Sequence, residues 1–229
     1  MRKQSWRVVA VLGLFGVLGS GPAAAQGVVA QSSFDVDDEG WLVGGPVPDP
    51  PDYFATGGNP GGFIRGFDAS GSTGGRAFWA FIAPAAYLGD VSAAYGGALS
   101  FDLRQDIGDG TPFDDDDVTL IGGGFTIVID AGPNPATTWT SYSVPFVETA
   151  GWVHDGTSQP PTMAEMQAVL GSLSEFWIRG EFIAGNDSAD LDNVVFTGTR
   201  VSTMSEAALL LLVVLLVLVS FAALGRLGT

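Results

Sequence analysis

The sequence predicts an all-β sandwich carrying one short helix, set between an N-terminal export signal and a C-terminal transmembrane helix. Three observations carry this prediction. From residue 33 to 199 the chain is dense in Gly, Asp, Pro and Thr with short apolar segments between, which is how many short strands are punctuated. Several segments alternate strictly: Leu99, Phe101 and Leu103 point one way, Ser100, Asp102 and Arg104 the other, so the sheets are stacked antiparallel with one wet face each. The two ends are apolar runs of a different kind.

Arg2, Lys3 and Arg7 give a basic start, 8–18 is uncharged and apolar, and Ala23-Ala24-Ala25 offers a small-residue cleavage site. That run is shorter than the ~20 residues of a membrane span. Residues 1–25 therefore read as a signal peptide, and the mature chain starts at Gln26. At the other end, 207–224 has no charge and one polar residue, Ser220. At about 1.5 Å per residue it is just long enough to cross a hydrocarbon core, and it lacks the polar stripe of a surface helix. Residues 26–206 are then expected outside and Arg226 inside. The chain is expected at the cell envelope or surface on a single-pass anchor, with 26–200 as one ectodomain.

Within the ectodomain the predicted strands are 61–69, 76–83, 97–105, 117–124, 125–131, 139–148, 175–183 and 192–199. The Pro- and Gly-rich stretch 44–62 reads as a long loop. One segment is helical: Thr162 and Glu165 form a capping box, Met163, Met166, Val169 and Leu170 share a face, and Gly171 closes it.

Composition narrows the chemistry. Without Arg2, Lys3 and Arg7, the nine basic residues become six arginines and no lysine, against 25 acids. Nucleic acid and anionic membrane surfaces demand a basic footprint and are poor partners. The absence of cysteine excludes thiol catalysis and Cys-ligated metal centres, and leaves the core to stabilise the fold.

Candidate sites are few. The run Asp114 to Asp117 reads as a solvated loop, because consecutive residues of an extended chain cannot all face one ion. Asp35, Asp37 and Asp38 near the first strand and Asp192 in the last leave two readings open, a structural calcium or solvated acidic turns. His154, the only histidine, has no nucleophile-elbow pattern near it and reads as a loop residue. Of the tryptophans, Trp79 and Trp177 lie in strands and read as core. Trp41 and Trp152 lie beside loops and are the candidates for a ligand-binding rim. A carboxylate pair for glycoside hydrolysis is the catalytic alternative, although no acid stands in an apolar-aromatic context that would raise its pKa.

Five ordered blocks carry a family resemblance: "FWAFIAPAAYLGDVSAAYGGALSFDLRQ", "DDDVTLIGGGFTIVI", "WTSYSVPFVETAGW", "MAEMQAVLGSLSEFWIRGEF" and "ADLDNVVF". Together they resemble the laminin B domain, also called laminin domain IV type A, over about 33–199. The resemblance implies a jelly-roll-type β-sandwich, akin to carbohydrate-binding modules, without catalysis. It also implies that the stretch 83–103 is scaffold. Animal members lie among cysteine-rich repeats, which this chain lacks, so a basement-membrane role does not carry over. The tail is similar to bacterial sorting signals of the Pro-Thr-Leu-Ser-Glu-Trp type. Val201, Thr203, Met204, Ser205 and Glu206 keep that pattern, while Ser202 replaces the proline, Ala207 the tryptophan, and Arg226 stands alone where a basic cluster is usual. The expected function is non-catalytic adhesion or binding of glycans or matrix-type proteins. The alternatives are a surface glycoside hydrolase and a purely structural envelope protein.

Overall fold

A computed structural model describes residues 26–44, 48–68, 78–106 and 110–199. The expected signal peptide, transmembrane helix and sorting-like segment lie outside these. Among the described residues no helix is long and apolar enough to cross a membrane.

Fourteen strands are described: β1 (Gln26–Ser32), β2 (Leu42–Val43), β3 (Asp52–Phe54), β4 (Phe63–Phe67), β5 (Ala80–Ile82), β6 (Ala98–Gln105), β7 (Thr111–Pro112), β8 (Val118–Gly122), β9 (Phe125–Ile129), β10 (Thr140–Pro145), β11 (Val153–His154), β12 (Leu173–Arg179), β13 (Ile183–Ala184) and β14 (Ser188–Thr199). They form two principal antiparallel sheets. The first runs β10-β6-β14-β4-β3, with β1 also paired to β14; the second runs β11-β9-β8-β12-β5-β2. A small β7-β13 pair stands apart.

The alternation read from the sequence decides which side of each strand is dry. Leu99, Phe101 and Leu103 of β6 are buried, as are Ile64 of β4 and Leu191 and Phe196 of β14. They meet Phe81, Leu120, Ile127, Phe176 and Ile178 of the second sheet in one core. Aromatic edges join the sheets: Phe176 lies 4.9 Å from Phe196 and 5.9 Å from Trp41, between ring centroids. Trp79 fits only because two glycines face it. A Cβ at Gly66 would come within 2.4 Å of its ring, and one at Gly180 within 2.0 Å.

The stretch 83–103 is a brace. Its Ala85–Tyr87 turn buries Tyr87, whose hydroxyl donates to the Val194 carbonyl at 2.8 Å. Gly89, at φ +90°, exchanges two backbone hydrogen bonds with Leu173, tying the turn to β12. The single described α-helix, α1 (Met163–Gly171), starts on the expected capping box of Thr162 and Glu165. Its buried face holds Met166, Val169 and Leu170; Met163, expected there, is exposed in the first turn.

Three sequence expectations need correcting. A strand, β1, precedes residue 33, and β3 interrupts the long loop expected over 44–62. Asp117, expected in a solvated loop, is buried against Arg179, with a nitrogen-to-oxygen distance of 2.9 Å.

Candidate ligand-binding face

The outward face of the first sheet gathers side chains far apart in sequence. Asp190 on β14 stands directly opposite Arg65 on β4 and, on its other side, opposite Arg104 on β6. Arg65 in turn faces Asp52 on β3. One row across four strands therefore reads Asp52, Arg65, Asp190, Arg104, with alternating sign. Opposite charges directly across strands attract, and like charges repel. Asp190 is almost wholly buried and accepts from both arginines: Arg65 Nε at 2.5 Å and Nη2 at 2.8 Å, and Arg104 Nε at 2.6 Å. That hydrogen bonding to Asp190 raises the Arg65 pKa further, so it carries its charge at any physiological pH.

The guanidiniums rest on aromatic rings. Arg65 lies 5.1 Å from the Phe54 centroid, and Arg104 lies 4.8 Å from Phe63 and 4.5 Å from Trp139. Phe54 and Phe63 stack at 4.7 Å, and Trp139 meets Phe63 edge-on. The Trp139 indole donates to the Gly57 carbonyl at 3.2 Å, linking the loop before β4 to the loop before β10. Beside this layer lies a cleft of about 240 Å³, lined by Arg65, Arg104, Gln105, Asp106, Thr137 and Asp190.

One row along, Asp192 on β14 faces Asp102 on β6, a like-charge pair. The backbone absorbs it. Asp192 accepts from the N–H groups of Asn59 and Asn193, and Asp102 accepts from the Asn59 and Asn193 side-chain amides. Burial nevertheless lifts the Asp192 carboxyl to about 6, and the charges of Asp102 and Asp35 push the same way. A raised acid binds its proton more readily folded than unfolded, so stability grows as pH falls from about 6 toward the ordinary Asp value of about 4. We expect the stability difference between the native chain and Asp192→Asn to increase on acidification from about pH 7 to about pH 4, by on the order of 2 kcal/mol. Urea unfolding at several pH values measures this; a pH-independent difference refutes it.

Of the residues singled out in the sequence, Asp192 lies on this face, and Trp41 and Trp152 do not. Trp41 and Trp152 are fully buried and offer no ring to a ligand. Trp41 donates to Ser32 Oγ inside the core, and Trp152 is folded back on Phe146 with its indole on the Pro145 carbonyl. The expectation of a rim failed because both rings, though beside loops in the sequence, pack into the main core. Of the calcium set, Asp35 lies near enough to Asp192 for its charge to act on it, but the four do not come together. Asp35 accepts from Ser33, Asp37 from the Glu39 N–H and Asp38 from the Gly40 N–H, each serving its own turn. Among the described residues no three His, Cys, Asp or Glu side chains are grouped to hold a metal ion. His154 lies half-buried, 3.5 Å from Glu165.

The sequence also missed acids in dry settings. Burial raises the Asp187 carboxyl, yet both its oxygens are occupied, one by the Trp79 indole and the other by the Phe182 and Ile183 N–H groups. Burial likewise raises Glu181, which accepts from the Trp79 N–H.

Residues 80–210 match the family described as Laminin B (Domain IV). The chain belongs to the laminin B family. Among solved structures, this laminin B domain is similar to the L4b domain of human laminin alpha-2, with a TM-score of 0.60 and 13% identity, over 78% of this chain and 99% of that one. Weaker likenesses are the CBM22-1–GH10 modules of Clostridium thermocellum endo-1,4-beta-D-xylanase 10B complexed with xylohexaose (TM-score 0.42, 13% identity, 78% of this chain and 30% of that chain) and an exo-beta-agarase (TM-score 0.45, 10% identity, 78% and 25%).

Proposed function

We propose that this laminin B protein is exported, held at the cell surface by a C-terminal membrane helix, and acts without catalysis in adhesion or glycan and matrix binding, through the outward face of its first sheet. The observation that carries the reading is the Asp190-centred pair Arg65 and Arg104, laid on Phe54, Phe63 and Trp139 beside an open cleft. Convergent polar groups on an aromatic bed are what a recognition site requires. The buried acids support a non-catalytic reading, because the Asp187 and Asp192 oxygens are already engaged by N–H groups of the fold.

The topology supports recognition of a partner beyond the cell's own membrane. Strand β14 runs from the cleft at Asp190 to Thr199, about 30 Å at ~3.3 Å per residue. Gln26 pairs with Thr199, so the read start of the mature chain and the lead into the anchor share one end. The cleft stands toward the other.

The test is binding of the full chain, in detergent micelles, to arrays of glycans and matrix proteins. Arg104→Gln and Trp139→Ala are expected to weaken a saturable interaction by about tenfold, the loss of one or two good contacts. Trp152→Phe should bind as the native chain does. Release of reducing sugar from any polysaccharide would replace this reading with the hydrolase one; a folded protein that binds nothing would leave the structural envelope role.

A further inference from the structure

We propose that residues 200–206, between β14 and the C-terminal membrane helix, dock in an uncharged groove at the anchor end of the sandwich, with Met204 in its larger part, so that the domain stands on a short fixed stalk. This rests on the membrane-anchored reading above and adds how the domain is held.

The groove is built where the chain leaves the domain. Two depressions share Ala93 and Thr199. One, of about 260 Å³, is further lined by Gly27, Val28, Val29 and Gly198. The other, of about 600 Å³, is further lined by Ser92, Tyr95 and Gln167. Thr199 is the last residue of β14, so the next residue emerges at the junction of the two. The strand end is fixed there: a Cβ at Gly198 would come within 2.0 Å of the Ala93 carbonyl oxygen, and Thr199 Oγ1 donates to the Tyr95 carbonyl at 3.3 Å.

The chemistry of the groove fits that segment. None of the lining residues is charged, in a chain of formal net charge -16, and Val28 is 52% exposed. Covering apolar surface of this kind is favourable. Within 200–206, Val201 and Met204 are apolar and Arg200 is basic. On the side of the larger depression, the Tyr95 hydroxyl donates to Glu148 at 2.9 Å, which places a carboxylate beside the exit for Arg200. That charge directs the segment to this side, and the larger depression has room for Met204. Seven residues reach at most about 25 Å, long enough to cover either depression before residue 207.

Other occupants fit less well. Lipid phosphates would find no basic residue in the groove, and second copies of so acidic a chain repel one another.

The chain has no cysteine, so introduced pairs report proximity without interference. The experiment oxidises the full chain in detergent micelles carrying Gln167→Cys with Met204→Cys, beside the chain carrying Gln26→Cys with Met204→Cys. Gln26 is the register partner of Thr199, so a segment free of the groove would reach it at least as readily. The expected result is a disulfide within one chain, formed at least about tenfold faster for the Gln167 pair, since the bond demands close and specific geometry. Amide hydrogen exchange over 200–206 should be at least about tenfold slower than in the same chain with Ala93→Trp, an exposed position whose new ring fills the junction. Equal disulfide rates, or exchange that Ala93→Trp leaves unchanged, would overturn the docking and leave the anchor standing. Disulfides between chains would put a second copy in the groove, and detergent contacts to Val28 and Ala93 would put the membrane there; either overturns it. If 207–224 exchanges freely and the chain stays soluble without detergent, the anchor reading fails, and the Gln167 disulfide still decides the docking on its own.

Discussion

Replacing Arg179 with Ala is expected to destabilise the domain by about 3–5 kcal/mol, the range for stranding one partner of a buried ion pair. The Arg179 side chain is fully buried. Its Nε donates to Asp117 at 3.1 Å, its Nη2 to Asn134 at 2.6 Å, and its guanidinium lies 4.4 Å from the Phe182 ring centroid. Asp117 is buried in turn and accepts from the Ala131 N–H at 2.9 Å. Arg179 therefore ties β12 to the loops on either side of β8 and β9. Without it, the buried Asp117 carboxylate has no cation and keeps only the Ala131 N–H. Burial raises that carboxyl, while the charge of Arg179 opposes the rise. Removing the cation leaves burial, the largest influence, opposed only by the Ala131 N–H, so the folded variant takes up a proton more readily than its unfolded chain. By linkage the deficit of Arg179→Ala must shrink as pH falls. Denaturant titrations at about pH 7 and about pH 5 test both parts. A double change, Arg179→Met with Asp117→Asn, should cost less than Arg179→Ala alone, since no charge is stranded. A deficit under about 1 kcal/mol, or one that grows in acid, would show that the pair is solvated and not structural.

The second large effect is expected at Phe176. Its ring is fully buried at the centre of an aromatic cluster, 5.9 Å from Trp41, 5.6 Å from Tyr87 and 4.9 Å from Phe196. Phe176 belongs to the second sheet, Phe196 to the first, and Tyr87 to the brace between them. Phe176→Ala should therefore lower stability by about 3–5 kcal/mol, combining lost transfer energy with a cavity that three rigid rings cannot collapse to fill. Phe176→Leu keeps most of the volume and should cost well under half as much, so the pair of variants separates cavity formation from general disturbance. Equal losses for the two would mean that edge-to-face ring contacts, and not volume, decide the site.

Much of the fold was legible along the chain. The alternation of 97–105 placed Leu99, Phe101 and Leu103 in the core and Asp102 and Arg104 outside it, as β6 shows. Thr162 and Glu165 announced a helix through purely local hydrogen bonds, and α1 begins there. The short strands β2 and β3 were not legible. Strand β2 exists only because Leu42 and Val43 find Ile82 and Phe81 across the sheet. The same holds for β3, extended by pairing with β4 inside a stretch whose Pro and Gly content argues against regular structure. Tryptophan position was a poor guide to exposure, since Trp152 adjoins a loop and is nonetheless buried, while Trp139, at a strand start, reaches the outward face.

The sequence by itself determined the all-β class, the longer strands, the helix and its cap, the acidic balance and the blocks that place the chain in the laminin B family. Tertiary structure alone decided that Asp190 sits between Arg65 and Arg104, residues 125 and 86 positions away along the chain. Local sequence encodes which face of a strand is wet. Which strand lies beside which, and in what register, follows from packing two sheets on one core, and no signal within a single segment carries that information.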